Sequence, residues 1–179
     1  NLLIVKTPSE FKNDLTKTNK IYVITVGTPV KNKKINKSAL NVVFNMLNKI
    51  IDENDAITLR STVPVGFSRK YCENFSKKII YCFAPERTIE GKAIEELSTL
   101  PQVFGANDFK SKEFFKDFFN LVSLEYFEVS YTESAELVKL TSNVYRDVVF
   151  GFSNEISLIA HKNGVNAKEI INACNYKYP

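Results

Sequence analysis

Ile21-Tyr22-Val23-Ile24-Thr25-Val26-Gly27-Thr28-Pro29 is the stretch that decides the fold. Its first part is an unbroken run of β-branched and aromatic residues, the pattern of a strand buried on both faces of a sheet. Gly27 then frees the backbone and Pro29 removes a ladder donor, so the strand stops there. Two more runs end in the same way. Ala56–Leu59 leads into Ser61-Thr62-Val63-Pro64-Val65-Gly66, and Ile79–Phe83 leads into Ala84-Pro85-Glu86-Arg87.

Helical spacing fills the intervals. Ser38 is expected to cap a helix reaching about Asp52, with Leu40, Val43, Phe44, Leu47, Ile50 and Ile51 on its apolar face. Ser68 to Phe75 reads as a second helix, and Lys31 to Lys37 as a polar loop. Upstream, Asn1 to Val5 is a short apolar run, and Ser9 opens a short helix to Leu15. Downstream, Gln102–Phe104 is a strand, Lys110–Leu121 a helix and Leu124–Val129 the last strand. Strands separated by helices of this size imply βαβ units, hence an α/β fold with a parallel sheet and helices on both faces. From Glu133 to about Asn163 the period changes to one long helix, followed by a shorter one from Ala167 to Cys174. The expected domains are residues 1–131 and 132–179.

The composition, 44% hydrophobic and 25% charged over 179 residues, suits a globular chain with a real core. The net charge of +4 is a slight Lys excess, better read as a solvated surface than as a nucleic-acid footprint. Cys72, Cys82 and Cys174 show no CxxC or Cys/His spacing, so neither a disulfide framework nor a metal site is expected, and a reducing cytoplasm is the natural compartment. No stretch has the length of a membrane span and no signal peptide is visible. The chain starts on Asn1 rather than Met, as an internal piece of a longer protein would.

In an open parallel sheet, ligands bind at the carboxyl ends of strands. One Thr-Pro or Val-Pro tip is turn punctuation; three in succession point to a shared crevice. The loop Glu86-Arg87-Thr88-Ile89-Glu90-Gly91-Lys92 sets two carboxylates four residues apart beside two cations. It reads either as a surface ion-pair cluster or as a place where an acid moves a proton and a cation meets phosphate. Lys139 and Asn143 leave one face of the long helix, with Glu136 before them and Arg146 and Asp147 one turn after. An exposed polar stripe and an oxyanion-stabilising pair both fit that spacing.

Taken together, Gly27-Thr28-Pro29, STVPVG at 61–66, APERTIEGKA at 84–93 and AELVKLTSNVYRDV at 135–148 resemble the UDP-glucose/GDP-mannose dehydrogenase family. The order and spacing match over essentially the whole chain. The run from Glu136 through Asn154-Glu155 looks most like the bacterial branch that oxidises UDP-N-acetyl-hexosamines such as UDP-N-acetylmannosamine, which makes uronic acids for surface polysaccharides.

The resemblance implies an NAD-dependent oxidation of a UDP-sugar C6 alcohol to a uronic acid. It implies a Rossmann-like first domain and the start of a central helical domain whose long helix forms a homodimer core. Partners are then a UDP-sugar and a second copy of the chain, with no nucleic acid and no membrane. Val26, Gly27, Thr28, Pro29 and Val30, with Ser61, Thr62 and Val63, would line the NAD site, and Thr62 would also approach the reacting carbon. Glu86, Arg87, Thr88, Ile89 and Glu90 would wrap the sugar nucleotide, Glu90 touching NAD as well. Glu86 would be the base for hydrolysis. Lys139 and Asn143 would bind substrate and steady oxyanions, with Arg146 a further substrate contact. In the family, a cysteine traps the intermediate aldehyde, a second NAD oxidises the adduct to a thioester, and water cleaves it.

Two departures from the family pattern stand out. The G-x-G-x-x-G turn for the NAD pyrophosphate does not occur in these residues, nor does the G-G-H-C context of the nucleophilic cysteine. Cys174, in NACNYKYP, does not match it, and Cys72 and Cys82 read as structural. The 179 residues alone are therefore expected to be inactive. Two other readings remain: a β-hydroxyacid or 6-phosphogluconate-type dehydrogenase, which also sets Lys and Asn four apart but lacks a PERTIEGKA-like loop, and a non-catalytic dimerising remnant.

Overall fold

The computed structural model describes residues 19–88, 91, 96, 99–122 and 125–177. The expected Asn1–Val5 strand and Ser9–Leu15 helix lie outside the described residues. The chain divides into two compact units, Asn1–Lys139 and Leu140–Pro179.

In the first unit, strands β1 (Ile21–Ile24), β4 (Ala56–Leu59), β5 (Ile80–Phe83), β6 (Gln102–Gly105) and β7 (Tyr126–Val129) form one sheet in the order β1-β4-β5-β6-β7. β1, β4 and β5 run parallel, with Ile24, Leu59 and Phe83 in register at their carboxyl ends. β6 and β7 are also parallel to each other. The join between these halves differs from the all-parallel expectation: β5 and β6 pair antiparallel, at Phe83 and Gly105.

Alternation along β4 and β5 builds two cores. Ile57, Leu59, Tyr81 and Phe83 face a cluster with Leu40, Phe44, Leu47 and Ile51 of α1 (Ser38–Ile50, with Ile51 its cap) and Phe67 of α2 (Phe67–Glu73). Ala56, Ile80 and Cys82 face the other cluster, with Phe104 and with Phe115 and Phe119 of α3 (Phe109–Val122). All four residues of β4 and of β5 are buried, which is why both read as continuous apolar runs. Each large side chain so buried contributes about 1.5–3 kcal/mol.

Two local expectations change. Ser38 is the first residue of α1 rather than its cap; its N–H is accepted by Asn36 Oδ1 at 3.0 Å. The expected 31–37 loop holds a small hairpin, β2 (Val30–Lys31) with β3 (Lys34–Ile35). Asn32 and Lys33 at its tip both have positive φ, 52° and 60°, as a two-residue type I′ turn requires.

Helix α4 (Thr132–Lys162) runs from the first unit into the second, which it fills together with α5 (Ala167–Asn175). α4 ends where Gly164, at φ 68°, lets its N–H reach His161 O and the Val165 N–H reach Ala160 O. Asn166 then caps α5, its side chain accepting from Lys168 N and Glu169 N. Among the described residues, no helix is long and apolar enough to cross a membrane.

Candidate functional site

The parallel register sets the tips of β1, β4 and β5 side by side, and hydrogen bonds weave them together. Arg60 N–H donates to Ile24 O at 2.9 Å, Ala84 N–H to Leu59 O at 3.0 Å, and Glu86 N–H to Arg60 O at 3.3 Å. Side chains add to this. The Ser61 hydroxyl donates to Val26 O at 2.6 Å, and the Thr28 hydroxyl to Thr62 O at 2.7 Å. Ser61 is buried, Thr28 and Thr62 are half-buried, and Gly27 and Pro29 are exposed. An added Cβ at Gly27 would meet nothing within 4 Å, so the backbone there faces open space. Two residues of the expected lining behave differently. Val63 is sealed in the first core, and Val30 is exposed on β2.

Glu86 is held on both carboxylate oxygens. Oε2 accepts from Arg60 Nη2 at 2.9 Å, while Oε1 accepts from the N–H groups of Arg87 at 2.8 Å and Thr88 at 2.9 Å. Arg60 Nη2 also donates to Gln102 Oε1 at 3.1 Å. Gln102 is the first residue of β6, which pairs antiparallel with β5 at Phe83–Gly105. Partial burial works to raise the Glu86 pKa, but the Thr88 N–H and the Arg60 guanidinium outweigh it and hold the carboxyl below its usual value. Arg87 is exposed and donates to Pro101 O at 3.1 Å. Ile89 and Glu90 lie outside the described residues.

Lys139, half-buried on α4, donates from Nζ to the Glu86 carbonyl at 2.6 Å. The helix cation and the loop acid, far apart in sequence, are thus brought together. Asn143, half-buried, and Arg146, exposed, lie on the part of α4 that belongs to the second unit. Burial pushes the thiols of Cys72 and Cys82 well up, so neither is a ready thiolate; Cys174 is exposed on α5. Among the described residues no group of three or more His, Cys, Asp or Glu side chains is placed to hold a metal.

Three residues outside the expected set complete this geometry: Arg60, Gln102 and Glu136. Arg60 lies next to the Ser61–Gly66 tip in sequence, the one signal that could have pointed to it. Gln102 depends on strand direction, which its sequence does not encode. Glu136 is fully buried, and its neighbours in sequence give no sign of that.

The comparisons bear on the family and the fold. Residues 5–123 match the UDP-glucose/GDP-mannose dehydrogenase family NAD binding domain, and residues 133–179 match the family's central domain. UDP-N-acetyl-D-mannosamine dehydrogenase of Methanocaldococcus jannaschii is 31% identical over 165 residues, 89% of this chain and 38% of that protein. NDP-N-acetyl-D-galactosaminuronic acid dehydrogenase of Ralstonia nicotianae is 28% identical over 86% of this chain and 40% of its own length. The structure of UDP-D-ManNAc dehydrogenase from Pyrococcus horikoshii superposes with a TM-score of 0.81 at 24% identity, covering 88% of this chain and 40% of that one. A Mycobacterium tuberculosis 3-hydroxyisobutyrate dehydrogenase also shares the fold, with a TM-score of 0.65 at 13% identity over 88% of this chain and 52% of that one. The β-hydroxyacid-type alternative thus shares the architecture, whereas the family models separate it from this sequence. The chain spans about two-fifths of the curated relatives it matches. With both family models matched in order along one chain, this protein belongs to the UDP-glucose/GDP-mannose dehydrogenase family.

Proposed function

We propose that this chain forms part of an NAD-dependent dehydrogenase that oxidises the C6 alcohol of a UDP-sugar, of the UDP-N-acetyl-hexosamine class, to a uronic acid in the cytoplasm. Relatives named for UDP-N-acetyl-D-mannosamine favour that substrate class. In this reading residues 1–131 belong to the NAD-binding domain and residues 132–179 open the central helical domain. The remnant alternative draws on the missing glycine-rich and cysteine motifs alone.

The observation that carries the proposal is the Lys139–Glu86 contact at the carboxyl edge of the sheet. It joins a cation, an ionised acid and tethered strand tips where an α/β sheet takes its ligand. The residues also fit the cofactor: Gly27 presents bare backbone to open space, and two hydroxyl–carbonyl ties hold the flanking tips steady. Bound NAD supplies the hydride acceptor for each two-electron oxidation.

The chain's own groups do the remaining work. Lys139 brings positive charge to the edge where the substrate oxygen becomes an alkoxide or oxyanion, and Asn143 is the amide assigned to the same task. Thr62 is the residue assigned to the approach to C6. Arg87, Thr88, Ile89, Glu90 and Arg146 are assigned to the sugar nucleotide, with Glu90 also on the cofactor. Glu86 is ionised, the form a base for the hydrolytic water requires, and its three donors aim it.

A homodimer through α4 is supported by the second unit's own surface. Val144, Val148, Phe152 and Ile159 are 60%, 63%, 62% and 57% exposed, an apolar face suited to a partner helix.

The test is NADH formation by the full-length protein with UDP-N-acetylmannosamine, UDP-N-acetylglucosamine, UDP-glucose and GDP-mannose in turn. Turnover with an N-acetylated UDP-sugar, two NADH per sugar, is expected; no turnover with any of them refutes the reading.

A further inference from the structure

Glu136 takes part in none of the steps above, yet it is fully buried. A buried acid is tolerated only when its oxygens are satisfied, and here both are. Oε2 accepts the Gly66 N–H at 2.6 Å and Oε1 accepts the Ser68 N–H at 2.7 Å. Gly66 closes the Ser61–Gly66 tip, in left-handed conformation at φ 83°, immediately before α2. Lys139 follows Glu136 by one helical turn on α4.

We propose that Glu136 is a positioning residue: its buried carboxylate ties the Ser61–Gly66 tip to the helical turn that carries Lys139, so cofactor side and substrate side share one anchor. The inference rests on the proposed roles of Ser61–Val63 and Lys139. It explains why an acid is kept where an apolar residue would cost less to bury. α2 has its own apolar docking, with Phe44 of α1 against both Phe67 and Tyr71 at 6.2 and 4.8 Å between ring centroids. Adhesion of α2 therefore does not need the carboxylate, whereas the placement of the Gly66 N–H does. Burial raises the Glu136 pKa above its usual value, and the Ser68 and Gly66 donors offset only part of that.

Glu136→Gln separates placement from packing. The amide has the same shape, but only its oxygen accepts, so its NH2 faces one of the two N–H donors. In the full-length protein the variant should raise KM for NAD and lower kcat by about a hundredfold, the scale expected of an ångström-sized misplacement. Phe115→Leu, in the second core, is the stability-matched control and should keep kcat within about twofold while losing thermal stability. If Glu136→Gln does not fold, Gly66→Ala loosens the same contact from the loop side. Its Cβ meets open space, so only the strained φ acts, and the same loss of kcat is expected.

A second readout does not depend on turnover. Amide exchange at Gly66 and Ser68 should accelerate at least about tenfold in Glu136→Gln, with Ile57 in β4 unchanged. Control-like kinetics for Glu136→Gln, wild-type kcat for Gly66→Ala, or unchanged exchange at Gly66 would each overturn the proposal. Faster exchange alongside an inactive wild type would uphold the anchor and remove the proposed function instead.

Discussion

The Lys139 ammonium donates to the main-chain carbonyl of Glu86, at 2.6 Å, and not to its carboxylate. The Glu86 side chain can therefore be changed without removing that hydrogen bond. That separation makes the two residues distinguishable by mutation.

Lys139→Ala removes positive charge from the edge where oxygen becomes anionic, so oxidation and hydrolysis should both slow. Loss of one such stabiliser costs about 3–4 kcal/mol, on the order of a hundred- to thousandfold in kcat. Steady-state NADH formation reads this directly, and a variant within a few-fold of wild type would remove Lys139 from the chemistry.

Glu86→Gln keeps the shape of the loop acid but cannot take a proton from water. The full-length variant should release both NADH equivalents in a burst and then stall, with a covalent sugar-nucleotide adduct in the mass spectrum. Absence of the burst would move Glu86 to the oxidation steps and leave Glu90 as the candidate for hydrolysis.

The Thr88 N–H, with Arg60 behind it, lowers the pH range of that base. The Glu86 carboxyl lies below its usual 4.5, since the Thr88 N–H and Arg60 overcome partial burial. A depressed acid stays ionised as pH falls through its ordinary range; its favourable contribution is full above the unfolded value and is lost only below, through the folded one. Arg60→Gln takes the cation away and should move the acid limb of the kcat–pH profile upward. An unmoved limb would mean that Glu86 does not govern hydrolysis.

Gly105 is fixed by space alone. A Cβ there would stand 2.1 Å from Tyr131 O and 2.7 Å from Tyr131 C, and backbone cannot move aside as a flexible side chain can. Gly105→Ala should cost about 1–3 kcal/mol or more, as overpacking does. Denaturant titration of the variant checks this, and an unchanged midpoint would contradict the close approach.

A continuous apolar run marks a strand but not its burial: β1, expected to be buried on both faces, leaves Ile21 and Val23 exposed. β4 and β5 are buried at every position, so hydrophobic run and strand coincide within a residue. The β2–β3 hairpin has two residues in each strand, Val30 paired with Ile35 and Lys31 with Lys34, too short a stretch for an alternation to be detected. The reversal at β5–β6 was not legible either, because a buried strand has the same composition in both directions. Of the site, the Glu86 and Lys139 strings were visible, since chemistry-bearing residues at turn tips and helix faces carry motifs. Arg60 and Glu136 act through hydrogen bonds made across the fold, and a charge buried by tertiary contact looks in sequence like any surface charge.

The one antiparallel rung at Phe83–Gly105 has a consequence for assembly. On either side of it stand two parallel groups, β1-β4-β5 and β6-β7, each with its own local pairings. Among the described residues one ladder rung crosses that line, with hydrogen bonds from Arg60, Arg87 and the Tyr81 N–H and the apolar face shared by Ile80 and Cys82 with Phe104, Phe115 and Phe119. Such a line is where a polypeptide can be severed and its fragments still find each other, because side-chain burial does not require covalent continuity. Two pieces divided between β5 and β6 should complement when expressed together, each bringing half of one greasy surface.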